Sequence, residues 1–293
     1  MHKRRFFAVA AVLLLALVLI IPAQAQSESV TILYPQELDN LNPMYTSMWF
    51  AGITFDLYLA PAWNFDGDLN PQPVLVTEIP STDNGGISDD GLTITLTLRD
   101  DIMWSDGEPI TSADFVFTYD MYNAPGNIPN TRYPYGVDDG VITSVEAPDE
   151  RTVVVNFVEP FAPWPALLFT HVLPEHVLGP VFEAEGTLDT AAWNRDISVS
   201  SGPYVLDQWE TGSFMRFVPN EYWFGNEPNI DVVIVRFIPD DEALVATLLN
   251  REGDIATFIA YSDVPALQDA GFEVFTVASG FNEQWFYNLD PEL

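Results

Sequence analysis

The side chains best suited to chemistry in this 293-residue sequence are two histidines in its second half and a large set of carboxylates. His171 and His176 are five residues apart, whereas two imidazoles share a helix face at a spacing of three or four. This spacing argues against a zinc site, and we expect both rings to flank Pro174 at a partly buried helix end. The sequence has no cysteine and lacks the G-x-S-x-G, P-loop and G-x-G-x-x-G motifs of common nucleophilic and nucleotide-binding sites.

The 43 aspartates and glutamates raise two further possibilities, hydrolysis and calcium binding. So many acids would supply a glycosidase pair by chance, and a secreted carboxylate-dependent polysaccharide hydrolase is an alternative that facing carboxylates in a deep groove would favour. The segment 66–68 is too short for a calcium loop, and the loop 83–90 would put Ile94 where an EF-hand-type loop needs a bidentate glutamate. We therefore predict solvated turns there, no metal, no cofactor, no catalytic residue and no enzymatic activity.

Aromatic side chains are abundant, and several lie in predicted loops outside any periodic pattern. Met48 and Trp49 follow the first predicted strand, and Tyr133 and Tyr135 lie in a long loop rich in proline and glycine. Rings and thioethers that line a concave site bind ligands of varied side chain with little directional demand. Core packing is the alternative for each of these residues.

A strand, a turn and a capped helix are predicted in succession between 90 and 122. Apolar residues alternate with threonine and arginine over 92–99, which is the period of a strand with one buried face. Ser, Asp and Gly within 104–107 favour a turn. Thr111 can cap the following helix, and Asp114 places a carboxylate near its N-terminal amides, although the usual capping box has Glu or Gln there.

The remaining elements form no regular strand and helix alternation. Further strands are predicted over 29–34, 141–145, 152–158 and 232–238, helices over 47–59, 160–180 and 242–249, and loops over 61–73 and 125–140. This mixture indicates an α/β protein built of mixed α+β lobes.

Two strings resemble a known family. The sequence reads DGLT, LR, WSDG and DF between 90 and 115, and GPY, W, G, NEYW and PDD between 202 and 241. In this order they are similar to the signature of the family 5 extracellular solute-binding proteins of ABC importers, the oligopeptide-, dipeptide- and nickel-binding type. The resemblance extends over about 29–293.

The resemblance implies a periplasmic-binding-protein-like fold of type II. It places a discontinuous first lobe at 27–55 and 174–284, an inserted middle domain at 56–173, and the start of a largely absent third domain at 285–293. It also implies that peptides bind in a cleft between lobes and pass to a membrane permease. Oligosaccharides, nickel chelates or a non-binding truncated fragment are the alternatives. The ligand-binding residues it indicates are Met48, Trp49, Tyr133 and Tyr135, with Tyr261, Asn282 and Trp285 as weaker candidates.

The first 25 residues are typical of a secretory signal. Three basic residues precede an apolar run over 6–21, and Ala23-Gln24-Ala25 resembles a cleavage site. We expect cleavage after Ala25, with an uncleaved membrane anchor as the alternative. Relatives that are lipoproteins have a cysteine where this sequence has Gln26, so we expect a free periplasmic or secreted protein, monomeric at full length.

The charge balance is strongly acidic. The formal charge is −33, and removal of the three basic residues at 3–5 would make it about −36. Such a charge favours solubility and excludes nucleic acid as a partner, because phosphate binding needs basic patches. It fits either a salt-rich habitat or an ordinary acidic secreted protein.

Overall fold

The protein is described by a computed structural model over residues 28–136 and 140–276. The predicted signal 1–25, the segment 285–293 and the site candidates Asn282 and Trp285 lie outside these residues. The strands are β1 (Ser29–Tyr34), β2 (Trp63–Phe65), β3 (Pro71–Pro73), β4 (Thr93–Thr97), β5 (Ile142–Asp149), β6 (Thr152–Phe157), β7 (Tyr204–Glu210), β8 (Phe214–Pro219), β9 (Val232–Phe237) and β10 (Ile255–Ala256). The α-helices are α1 (Trp49–Tyr58), α2 (Ser112–Asn123), α3 (Trp164–Leu167), α4 (Glu175–Glu185), α5 (Asp241–Leu249) and α6 (Val264–Asp269).

The larger sheet has five strands in the order β10-β1-β9-β8-β7. Strand β1 pairs in parallel with β9 and β10, and β8 is antiparallel to both β7 and β9. The first strand of the chain is therefore held by strands about 200 residues later, as in Val30 opposite Val233. Leu33 packs with Leu244, Leu248 and Leu267 in a small separate core, which fixes α5 and α6 against one face of this sheet.

The smaller sheet has the order β4-β6-β5 and is antiparallel throughout. Ile94 and Leu96 are buried on one side, while Thr95 between them is only half-buried, which confirms the predicted alternation. The Thr111 hydroxyl accepts a hydrogen bond from an N-terminal amide of α2. The Asp114 carboxylate accepts one from the Thr111 N–H at 2.9 Å, so aspartate completes the capping box.

Two predicted segments differ from the structure. The predicted loop 61–73 contains the hairpin β2–β3, with Trp63 opposite Pro73. The helix predicted over 160–180 is instead the short α3 and the separate α4, because residues before proline are disfavoured in helical conformation and Pro174 is the N-cap of α4.

A tight backbone contact joins the larger sheet to α1. The N–H groups of Ser201 and Gly202 both donate to the Tyr58 carbonyl at 3.0 Å, and a Cβ on Gly202 would lie 2.7 Å from the Tyr58 carbonyl carbon. Only glycine allows this approach. One continuous core connects both sheets.

All strands of the larger sheet lie in the predicted first lobe, and all strands of the smaller sheet lie in the predicted middle domain, 56–173. Helix α1 continues to Tyr58, past the predicted division at 55/56. The boundaries themselves stay a prediction. Within the described residues, none of the helices has the length and apolar character needed to cross a membrane.

Candidate functional site

The carboxyl ends of three parallel strands meet at one edge of the larger sheet. Strands β1, β9 and β10 end at Tyr34, Phe237 and Ala256. In sheets with parallel strands, ligands bind outside the carboxyl ends, where the following loops converge. The loops 35–48, 238–240 and 257–263 therefore surround the candidate site.

Four aromatic rings form a connected cluster at this edge, which we call the edge cluster: Tyr34, Trp49, Phe50 and Phe258. The centroids of Trp49 and Phe258 are 4.7 Å apart with the rings at 84°, an edge-to-face contact. Phe50 lies 5.3 Å from Phe258 and 5.1 Å from Tyr34. These contacts link the first parallel strand, the start of α1 and the loop after β10.

The edge cluster has a buried half and an exposed half. Tyr34 and Phe50 are only 3% and 8% exposed, whereas Trp49 and Phe258 are 43% and 64% exposed. The Tyr34 hydroxyl lies 3.1 Å from the Thr54 hydroxyl, and burial raises the pKa of Tyr34, so its ring is a neutral anchor. The cluster therefore presents two rings to solvent on a base of two buried rings.

Phe258 is the residue that sequence reasoning missed. Its φ of 60° lies in the left-handed region, which a bulky residue adopts only when its surroundings enforce it. Such backbone strain is concentrated at functional sites. Its contact with Trp49 joins residues more than 200 positions apart, and no local pattern of the sequence carries that information.

The turn before α1 fixes the position of Met48 and Trp49. The Met48 N–H donates to the Thr46 hydroxyl at 3.0 Å, and that hydroxyl donates to the Asp39 carboxylate at 2.6 Å. Met48 is the N-cap of α1 and packs half-buried against the core. Met48 and Trp49, both predicted as ligand-binding residues, thus differ in exposure, and Trp49 is the more exposed of the two.

Tyr133 and Tyr135 lie in the long loop but have different surroundings. Tyr133 is 44% exposed, and its ring lies 6.0 Å from that of Phe161. Tyr135 is 5% exposed, and its hydroxyl accepts a hydrogen bond from the Phe169 N–H at 2.6 Å. Burial raises the pKa of Tyr135, whose ring also stacks on Tyr122. Tyr135 is therefore a packing residue here, and Tyr133 presents the accessible ring.

The long loop lies beside the segment that leads into α1. The Asn130 N–H donates to the Met44 carbonyl at 2.8 Å, and Arg132 donates to the carbonyls of Tyr122 and Asn127. Tyr261 is 85% exposed and follows Phe258 by three residues in the loop after β10. Trp49, Phe258 and Tyr261 thus follow strands β1 and β10 at the end of the sheet where the parallel strands terminate. Tyr133 lies in the long loop 125–140.

The histidines have separate environments. His171 packs edge-on against Phe55 with centroids 4.5 Å apart, and burial lowers its pKa to about 3. His176, in the first turn of α4, lies with Nε2 3.0 Å from the Asp106 carboxylate. Among the described residues, no group of three or more His, Asp and Glu side chains is placed to hold a metal ion.

Carboxylates border a groove of about 620 Å³ between α2 and β5. Asp120, Glu146 and Glu175 lie at its border, and Val116 and Phe117 are among its apolar lining residues. Burial raises the pKa of Asp120. The edge cluster contributes none of the residues that line this groove.

Comparison with known proteins identifies relatives of more than half of this chain. Residues 70–292 match the model of the bacterial extracellular solute-binding proteins, family 5 Middle. Protein XP55 of Streptomyces lividans is 32% identical over 237 residues, which are 78% of this chain and 38% of XP55. The oligopeptide-binding protein AppA of Bacillus subtilis is 30% identical over 185 residues, 61% of this chain and 31% of AppA.

Solved structures show the same fold. AppA, solved with a nonapeptide, matches with a TM-score of 0.71 at 22% identity over 83% of this chain and 46% of the AppA chain. The ABC transporter substrate-binding protein CtaP of Listeria monocytogenes matches with a TM-score of 0.71 at 26% identity, over 83% of this chain and 47% of CtaP. The chain spans less than half the length of each of these proteins. The predicted fold class, a mixed α/β periplasmic binding protein, is confirmed.

Proposed function

The chain belongs to family 5 of the bacterial extracellular solute-binding proteins, and we propose that it binds peptides and delivers them to the permease of an ABC importer. The observation that carries this proposal is the edge cluster, whose exposed rings lie where the loops after three parallel strands converge. The family is one of solute-binding proteins, which favours binding over the hydrolase alternative. We infer that the chain has no enzymatic activity.

The ligand is proposed to lie over the exposed rings of Trp49 and Phe258, with Met48 at the N-cap of α1 and Tyr133 in the neighbouring loop. An extended peptide can be held through its main chain while rings and water-filled pockets receive its side chains. Tyr261 is positioned to join this surface, and Asn282 and Trp285 stay predicted contacts. Tyr135 supports the loop from within the core.

We further propose that two lobes, 27–55 with 174–284 and the inserted domain 56–173, carry this surface, and that hinge motion closes the site. The protein would act outside the cytoplasm after cleavage at Ala25, as a monomer. N-terminal sequencing of the exported protein tests the cleavage, and a mature start far from Gln26 would contradict it.

Calorimetric titration tests the binding proposal. The probe is the amidated pentapeptide Ala-Leu-Gln-Leu-Ala, titrated into the chain and into Trp49→Ala. Burying an aromatic contact contributes about 1.5–3 kcal/mol, so the variant should bind at least tenfold more weakly. Phe65→Ala is the matched control, because Phe65 is 40% exposed in β2, outside the edge cluster. Equal affinities for the chain and Trp49→Ala would contradict the proposed site, and no binding at all would contradict the proposed function.

A further inference from the structure

Positive charge is scarce in the described residues, and most of it is already paired with carboxylates. Seven arginines and no lysine follow residue 5 of the sequence, and all seven arginines lie in the described ranges. Arg99, Arg216 and Arg236 form ion pairs with acidic side chains, and Arg151 pairs with Asp100 at 3.6 Å. A ligand carboxylate would have to compete with these partners.

The other three arginines are bound in different ways. Arg132 and Arg251 donate to backbone carbonyls, and Arg251 also lies 4.0 Å from the ring centroid of Phe272. Arg195 lies over the ring of Trp209 at 4.1 Å, with its guanidinium 3.9 Å from the Glu37 carboxylate. Arg195 contacts the loop after β1, and its guanidinium already pairs with the Glu37 carboxylate of that loop.

Acidic side chains follow each of the three parallel strands at the edge. Glu37 and Asp39 lie in the loop after β1, Asp240 and Asp241 follow β9, and Asp263 follows β10. Because the strands are parallel, these loops leave the sheet at the same end as the edge cluster. The loops therefore bring carboxylates to the end of the larger sheet at which the edge cluster lies.

An aromatic face is itself a site for cations. The negative face of a ring attracts an ammonium or guanidinium group, and tryptophan does so most strongly. Trp49 and Phe258 are the two rings of the edge cluster that solvent reaches, and the formal charge of −33 raises the local concentration of cations around the protein.

We propose that the edge cluster selects ligands that carry a positively charged group, so that peptides with lysine or arginine bind more tightly than equally long peptides with glutamate. This inference rests on the proposed function and names the ligand class of the same site. The aromatic rings supply contact area and attraction to the cation, while the carboxylates of the loops at this end of the sheet repel an anionic side chain.

The test is a calorimetric titration of the full chain with three amidated pentapeptides, Ala-Leu-X-Leu-Ala, in which X is Lys, Gln or Glu. Sodium chloride is held at about 0.15 M, where the screening length is about 8 Å. We expect the Lys peptide to bind about fivefold more tightly than the Gln peptide, and the Glu peptide to bind most weakly. Equal or tighter binding of the Glu peptide would overturn the inference and leave the proposed function intact. Failure of all three peptides to bind would overturn both.

Two variants that each add one positive charge distinguish the effect of charge near the edge cluster from the effect of the net charge of the protein. Tyr261→Lys and Val158→Lys add the same charge at exposed positions, the first in the loop after β10 and the second just after β6. We expect Tyr261→Lys to reduce the preference for the Lys peptide at least threefold and Val158→Lys to leave it unchanged. An equal loss in both variants would show that the net charge of the protein, and not the edge cluster, determines the preference for the Lys peptide. This result would overturn the inference.

A further variant tests the rings themselves. Trp49→Leu keeps an apolar side chain but removes the aromatic face, so the Lys peptide should lose more affinity than the Gln peptide. Phe65→Leu, made in β2, controls for the loss of an exposed ring. Circular dichroism confirms that each variant is folded. Equal losses for the two peptides in Trp49→Leu would overturn the role of the ring in cation selection.

Discussion

Gly202→Ala is expected to destabilise the protein, because a methyl group does not fit at this position. The added Cβ would lie 2.7 Å from the Tyr58 carbonyl carbon, 2.8 Å from the Leu57 oxygen and 2.8 Å from the Leu59 nitrogen. All three are backbone atoms at the end of α1, so no side-chain rotation relieves the overlap. The chain must move apart there and weaken the hydrogen bonds from Ser201 and Gly202 to the Tyr58 carbonyl.

Overpacking of this kind typically costs about 1–3 kcal/mol of the free energy of unfolding. Urea denaturation followed by tryptophan fluorescence measures it. With a slope of roughly 1–3 kcal/mol/M, a loss of about 2 kcal/mol lowers the midpoint by about 1 M. Gly67→Ala is the matched control, because its Cβ would meet no heavy atom within 4 Å.

Gly202→Ala should also affect the candidate site. Helix α1 begins at Trp49, so a displacement of its end at Tyr58 should disturb the edge cluster and weaken peptide binding. If Gly202→Ala unfolds at the same urea concentration as the unchanged chain and as Gly67→Ala, the close approach does not constrain the fold, and the argument is refuted.

Three further predictions follow from the structure. Thr111→Ala removes the cap of α2 and should lower the free energy of unfolding by about 1 kcal/mol in urea, whereas an unchanged value would show that the cap bond is not formed. Burial lowers the pKa of His171 to about 3, below the ordinary value of about 6.5, so its stabilising contribution is present above pH 6.5 and is lost as the pH falls towards 3. The chain should therefore lose about 1–2 kcal/mol more than His171→Gln between pH 7 and pH 5, and parallel pH profiles in urea would contradict this. The formal charge of −33 predicts a melting temperature that rises with sodium chloride, and a flat or falling melting temperature would require another cause for the acidity.

Local sequence pattern predicts β4 and the start of α2. The alternation over 92–98 predicts β4 because a strand with one buried face needs apolar residues at every second position. Thr111 and Asp114 predict the start of α2 because both halves of a capping box lie within four residues. In contrast, the hairpin β2–β3 is stabilised by pairing across a proline-rich segment, and its composition indicates a loop.

The candidate site depends on distant contacts and was only partly predictable. Trp49 was predicted as a site residue on the basis of residue type and resemblance, and its position over Phe258 depends on the parallel pairing of β1 with β10. The exposure of Tyr133 and the burial of Tyr135 depend on packing against Phe161 and Phe169, which lie about 30 residues further along the chain. Such differences between near neighbours in a loop leave no trace in local composition.

The two signature strings are parts of a single joint, and this explains why they identify the family but not the ligand. The Ser105 N–H donates to the Ser200 carbonyl at 2.8 Å, and the Ser200 N–H donates to the Ser105 hydroxyl at 3.0 Å. Gly107, with a φ of 90°, leaves room for the Tyr222 ring, which would lie 3.0 Å from an added Cβ.

Part of the first string, at 105–107, therefore contacts Tyr222 of the second string and Ser200 just before that string, and both strings serve the scaffold. The exposed rings of Trp49 and Phe258 lie outside both strings, at the start of α1 and in the loop after β10. A change at these positions can alter the ligand without disturbing the joint. The selectivity of the edge cluster for charge must therefore lie in the loops after β1, β9 and β10, and the comparison of Tyr261→Lys with Val158→Lys tests that location directly.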